Sequence, residues 1–140
     1  MSTDAEKQPI GELVIRTLAM PADTNPAGDI FGGWVLSQMD IAGGLVTKKV
    51  ANGRTVTVAV DSMTFHLPVM VGDTLCCYVD VLKIGRTSIR VNIQAWATRQ
   101  YEKGRILVTE GIFTYVAVTA DRTPRPVDSE YVDAKPTPIK

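Results

Sequence analysis

Two hydrophobic periods divide the chain. Residues 11–19 (GELVIRTLA) read as a first strand, and residues 20–29 (MPADTNPAGD) are dense enough in Pro, Asn, Asp and Gly to be loop. From Ile30 the spacing turns helical: Ile30, Phe31, Trp34, Val35, Met39, Ala42, Leu45, Val46 and Val50 wrap most of a cylinder. Asp29 is placed to cap this helix, and Lys48 and Lys49 suit its C-terminal end. Beyond it, Val56, Val58 and Val60 alternate on one parity and Met63, Phe65 and Leu67 on the other, so a bulge is expected at Asp61–Ser62. PVMVGD (68–73) is a turn, and 74–84 is a strand closed by a turn around Gly85. Ile89, Val91, Ile93, Ala95 and Ala97 then alternate with Arg90, Asn92, Gln94, Trp96 and Thr98, the mark of a half-buried strand. A hairpin loop at 101–104 leads to a last strand over 105–118. The pattern predicts one helix and about five strands in antiparallel succession, an α+β domain. The helix has more apolar surface than one sheet face needs. Either the sheet curls around it or a second copy of the chain covers its other side.

Composition narrows the function. The chain has 140 residues, 45% apolar and 21% charged, which is one ordinary domain with enough apolar material for a core. Fifteen basic and fifteen acidic side chains leave no net charge, so no nucleic-acid partner is expected. Two adjacent cysteines, Cys76 and Cys77, cannot staple a fold, and one His with that pair makes no zinc site. Ile30 to Thr47 holds a single charge, but its glycines and polar residues mark a core helix and not a membrane span. The opening MSTDAEKQPI has no basic n-region and no apolar h-region. With reduced cysteines, this points to the cytoplasm. The domain is expected over 11–118, with residues 1–10 disordered. Residues 119–140 form a Pro-rich tail that runs extended over a surface or trails off.

Asp40 is the sharpest chemical feature, the one charge in an otherwise apolar helix of about 18 residues. A buried carboxylate needs a partner, and burial favours its protonated form. Such a group is either structural or functional. Gly32 and Gly33 open the same helix, where amides lack intrahelical partners and a ligand can approach closely. They serve either tight packing or an oxyanion. Seven residues separate Gly33 from Asp40, roughly 10 Å along a helix axis, too far to share one substrate atom. Either the helix bends sharply, or the amides of one chain meet Asp40 of another, twice by two-fold symmetry. Asn25, in the loop before the helix, would orient a water or a carbonyl if it belongs to a site. Thr57, at the start of the second strand, reads first as a strand residue. Around Gly85, Lys83, Arg86, Thr87 and Ser88 combine cations and hydroxyls in a turn that suits phosphate. Arg122 and Arg125 are weaker candidates for the same contact. His66 has no obvious partner and is placed at a strand end.

These residues are familiar as a set. RTLAMPADTNPAGDIFGGWVLSQMD (16–40) resembles the bacterial hotdog-fold acyl-CoA thioesterases of the YciA type. The likeness continues through GRTVTVAVDSMTF (53–65), VGDTLCCY (71–78) and LKIGRTSI (82–89). The resemblance implies a hotdog fold, a long central helix wrapped by a curved antiparallel sheet, paired with a second chain and commonly built into a trimer of dimers. It implies hydrolysis of acyl-CoA to a fatty acid and free coenzyme A. It puts the catalytic aspartate at Asp40, the loop asparagine at Asn25, the oxyanion amides at Gly32 and Gly33, and the strand threonine at Thr57. Coenzyme A contacts fall at Lys83, Gly85, Arg86, Thr87 and Ser88, and the acyl pocket at Trp34, Met39, Met63 and Phe65. No cofactor or metal is expected, because coenzyme A is part of the substrate. Two other readings belong to the same fold. Acyl-thioester hydratases need a His paired with an acid, and His66 has no such setting in the sequence. A non-catalytic acyl-CoA sensor would leave Asp40 structural.

Overall fold

In the computed structural model, residues 7–130 are described, and the outer parts of both expected terminal segments lie outside them. The elements follow as β1 (Glu12–Leu18), a short 3-10 turn (Pro21–Asp23), α1 (Gly32–Val50), β2 (Thr55–Phe65), β3 (Thr74–Ile84), β4 (Ser88–Thr98) and β5 (Ile106–Ala117). All pairings are antiparallel, in the order β1-β3-β4-β5-β2. The expectation of simple succession fails at one step. β2 does not pair with the strand that follows it but crosses to the far edge, beside β5. The reason lies in the helix. α1 packs on the inner face formed by Val79, Val91, Ile93, Phe113 and Tyr115, and β2 leaves it on the side where β5 is open.

The expected bulge in β2 is present. The pairing slips between Asp61 and Thr64, and Ser62 has a φ of 53°. A second slip, between Thr57 and Ala59, has no parity signal in the sequence. β4 alternates cleanly only as far as Ile93. Gln94 and Trp96, expected on the exposed side, are buried. Residues 8–10, expected to be disordered, cover them: the Ile10 amide donates to Gln94 Oε1 (3.0 Å), and Trp96 Nε1 donates to the same oxygen (3.1 Å). The Arg105 guanidinium lies over the Trp96 ring and also bonds Gln8.

Asp29 does not cap α1. The N-cap is Phe31, whose side chain makes no capping bond, while Asp29 belongs to the preceding loop. That loop is held from two sides. The Phe31 amide donates to the Asp23 carbonyl (2.9 Å), and the Ile30 amide to Val69 in the 68–73 turn (3.1 Å). The turn is locked by the buried Asp73 carboxylate, which pairs with Arg99 and accepts the Met70 amide (2.8 Å).

Residues 119–130, expected to run extended or trail off, instead turn twice, at 119–122 and 126–129, and are fastened to the fold. Arg125 is buried and donates to the carbonyls of Val118 (3.1 Å), Ser129 (2.9 Å) and Ala51 (2.7 Å), the last being the C-cap of α1. A guanidinium there also offsets the negative end of the helix dipole. Its expected role as a surface phosphate contact is therefore corrected: the group is spent on carbonyls inside the fold.

Candidate active site

Asp40 sits in the third turn of α1 and is half-buried. Its Oδ1 accepts from the Thr57 hydroxyl (2.6 Å) and from the Tyr115 phenol (2.9 Å). The phenol also lies 3.0 Å from the Asp40 carbonyl oxygen. Thr57 and Tyr115 are cross-strand partners in the β2–β5 ladder, so one register position delivers both donors. No described residue bonds the second carboxylate oxygen, Oδ2. A carboxylate held by one oxygen keeps the other available for chemistry.

Tyr115 was not among the expected site residues, and Gly43 is what brings it in. A Cβ on Gly43 would lie 2.2 Å from the Tyr115 hydroxyl, so only glycine lets the phenol touch the helix backbone. Burial pushes the Tyr115 phenol well above its ordinary range, and its bond to Asp40 adds to the shift. It therefore stays protonated, as a donor must.

Gly32 and Gly33 do open α1, and their amides donate to no described group; the first bonded amide of the helix is that of Trp34, to Phe31 (3.1 Å). A Cβ on Gly33 would meet nothing within 4 Å and one on Gly32 only the Phe65 ring. Packing inside this chain does not require either glycine. The helix is continuous from Gly32 to Val50, so a bend does not bring these amides to Asp40. Asn25 is occupied locally. Its side-chain oxygen accepts the amides of Ala27 (2.9 Å) and Asp29 (3.1 Å), closing the loop that presents the helix start.

The Gly85 turn lies beside the Asp40 partners, because Ile89 pairs with Tyr115 and Ser88 with Val116. Lys83 and Arg86 are exposed there. The Gly85 amide donates to Ser88 (2.7 Å), and the Arg86 carbonyl accepts the Val127 amide (2.8 Å), which ties the tail to this turn. The four expected acyl-pocket residues differ in burial. Met39 is fully buried in the core, Trp34 and Met63 flank it, and Phe65 stands exposed beside Gly32. His66 does stand at the end of β2, but it has a partner: Nε2 lies 2.9 Å from Glu110 Oε2. The sequence separated these two by 44 residues and only the β2–β5 pairing joins them.

The chain and its fold are similar to known proteins. A profile of the thioesterase superfamily matches residues 27–103. The acyl-CoA thioester hydrolase YciA of Salmonella typhimurium is 53% identical over 128 residues, which span 89% of this chain and 96% of that protein. Among solved structures, a hexameric thioesterase from Yersinia pestis is 54% identical with a TM-score of 0.83, covering 88% of this chain and all of that one. A hexameric hotdog-fold thioesterase of Campylobacter jejuni is 43% identical with a TM-score of 0.79, covering 85% of this chain and 92% of that one.

Proposed function

The chain belongs to the thioesterase superfamily and, within it, to the acyl-CoA thioester hydrolases of the YciA type, and on that footing we propose that it hydrolyses acyl-CoA to a carboxylic acid and free coenzyme A. The observation that carries the chemistry is the Asp40 carboxylate, pinned through Oδ1 by Thr57 and Tyr115 with Oδ2 left open. Oδ2 either takes a proton from water or attacks the thioester carbon directly. The carbonyl oxygen rests on the amides of Gly32 and Gly33, which stabilise the oxyanion as it forms. A thiol has a reference pKa of about 8.5, so the thiolate departs without a strong acid. The Asn25 loop presents the carbonyl cradle, and Lys83, Arg86, Thr87 and Ser88 take the coenzyme A phosphates. The reaction calls on no metal or prosthetic group.

Two copies are needed. Gly33 and Asp40 are about 10 Å apart on a continuous helix, so each site takes its amides from one subunit and its carboxylate from the other. The surface supports this. β2 is a free edge with Val58 and Val60 exposed, and Ile41 and Leu45 are exposed on α1. A long apolar edge strand left unpaired invites another chain. Dimers assembled as a hexamer fit the relatives from Yersinia and Campylobacter. The free thiols of Cys76 and Cys77 support a reducing compartment, the cytoplasm.

The test is thiol release from a series of acyl-CoA chain lengths, with wild type and Asp40→Asn side by side. The variant should fold and lose about 10³-fold in kcat. Near wild-type turnover by Asp40→Asn removes Asp40 from the mechanism. Coenzyme A binding with no release by wild type makes the protein a sensor. Single-turnover hydrolysis in labelled water separates the two routes of attack.

A further inference from the structure

The junction of α1 and β2 carries positive charge that the reaction proposed above does not use. A cleft of about 740 Å³ opens between the C-terminal half of α1 and the start of β2, with Leu45 on its apolar side and Lys48, Lys49 and Arg54 around it. The chain has no net charge, yet none of the residues that line this cleft is acidic. Among the described residues, Lys48, Lys49 and Arg54 form no ion pair and no side-chain hydrogen bond. The helix C-terminus accounts for the two lysines. It does not account for Arg54, which is half-buried on the β2 side, whereas Arg99 and Arg125 are spent on acceptors inside the fold. Like charges gathered without counter-charges repel one another and raise the local concentration of anions.

The fold builds this grouping. Asn52 takes a φ of 48°, and the Gly53 amide returns to the Lys48 carbonyl (3.0 Å), which reverses the chain and puts Arg54 on the same cleft as Lys48. The end of β5 then relates the cleft to the Gly85 turn. The Ala117 amide donates to the Thr87 carbonyl (2.8 Å), and the next amide, that of Val118, to the Arg54 carbonyl (3.0 Å). Thr87 and Arg54 thus flank one dipeptide, two strand spacings or about 10 Å apart. At the other end of the cleft, Gly44 lies one helical turn beyond Asp40. The cleft therefore runs from beside the carboxylate to beside the turn expected to hold phosphate.

Resting on the thioesterase reading, we infer that the Gly85 turn holds the diphosphate of coenzyme A and that Arg54, with Lys48, holds the 3′-phosphate of its ribose. One ribose joins the two groups, a span that long arginine and lysine side chains cover from either side of β5. The subsite reads the nucleotide end alone, so it selects full coenzyme A thioesters and sets no limit on the acyl chain.

The experiment compares butyryl-CoA with butyryl-3′-dephospho-CoA as substrates of wild type, Arg54→Ala and Lys48→Ala. Wild type should favour butyryl-CoA in kcat/KM by about tenfold or more. Arg54→Ala should lose about tenfold on butyryl-CoA, through KM, and keep its turnover of the dephospho substrate. Lys48→Ala, more exposed, should lose about threefold in the same selective way. Three results overturn the inference: equal use of the two substrates by wild type, an equal loss on both in the variants, or no change on either. If wild type releases no thiol from either substrate, the thioesterase reading is what fails. Calorimetry with adenosine 3′,5′-bisphosphate and with adenosine 5′-monophosphate then tests the subsite alone. Tighter binding of the bisphosphate that Arg54→Ala abolishes supports it, and equal binding of the two nucleotides, or binding of neither, removes it.

Discussion

In the proposed reaction Asp40 works through the difference between its two oxygens. Thr57 and Tyr115 both spend their hydrogen bonds on Oδ1, which fixes the plane of the carboxylate and aims Oδ2. Tyr115→Phe should therefore lower kcat by about 10-fold with little change in KM, because the phenol orients the carboxylate and does not hold substrate. Steady-state kinetics on one good substrate checks this. The same phenol and the buried Cys77 thiol set an alkaline limit on stability. Burial pushes Cys77 from 9.0 up to about 12, and Tyr115 is raised from 10.0. Both groups keep their protons in the fold at pH values where the unfolded chain gives them up. Stability should be unaffected below about pH 8 and should fall as the pH rises past 9 and then 10. Denaturant titrations from pH 8 to 11 should show a shallower decline in Cys77→Ala. Asp40 was legible in the sequence because a lone charge in an apolar helix stands out against its neighbours. Tyr115 was not, since a tyrosine in an alternating strand reads as a core aromatic, and its contact depends on a glycine 72 positions earlier, Gly43, that reads as packing.

At the scale of elements, the site depends on how closely β5 approaches α1. Gly43→Ala puts a methyl where the Tyr115 hydroxyl now is, so the helix or the phenol must move. The expected cost is about 1–3 kcal/mol in chemical denaturation, with kcat falling as it does in Tyr115→Phe. The helix start depends on a different contact. Asp73 is buried with Arg99 and holds the turn that receives the Ile30 amide. Asp73→Ala should cost about 3–5 kcal/mol, because it strands a partly buried guanidinium. The helix, the Gly85 turn and the β2 bulge could all be read from local pattern: period 3.6, a glycine between cations, a slip of parity. The cap and the strand order could not. Capping by Asp29 satisfied composition, but the loop instead uses Asn25 to bind its own backbone and leaves Phe31 at the boundary. The path of β2 to the far edge depends on which strand edge is open after α1 has packed, and no local spacing encodes that.

For the molecule as a whole, the tail and the edge strand do opposite things. Arg125 and Val127 close the fold on itself, joining the end of α1 to the turn expected to hold coenzyme A. β2 leaves an apolar edge open, where the proposed second copy would pack. The excess of apolar residues on α1 had two readings in the sequence, a sheet curled around the helix or a second copy covering it. A charge on the exposed surface, Val58→Lys or Ile41→Glu, should shift the protein toward monomers in sedimentation and abolish turnover together, since in the proposed arrangement a monomer holds only half of each site.

The ten ångströms between the helix start and Asp40 also allow two inactive proteins to repair each other. Phe31 has a φ of −56° and a ψ of 132°, the backbone that proline prefers in the residue before it, and Gly32 is the first helical position. Gly32→Pro thus deletes one cradle amide with the helix start kept. Mixed and re-annealed with Asp40→Asn, it should form hybrid dimers in which one site carries both lesions and the other carries neither. Random pairing makes half the dimers hybrids with one good site each, so activity should return to roughly a quarter of wild type. Genetically, two null alleles of one gene would complement each other through the mixed dimers of their products.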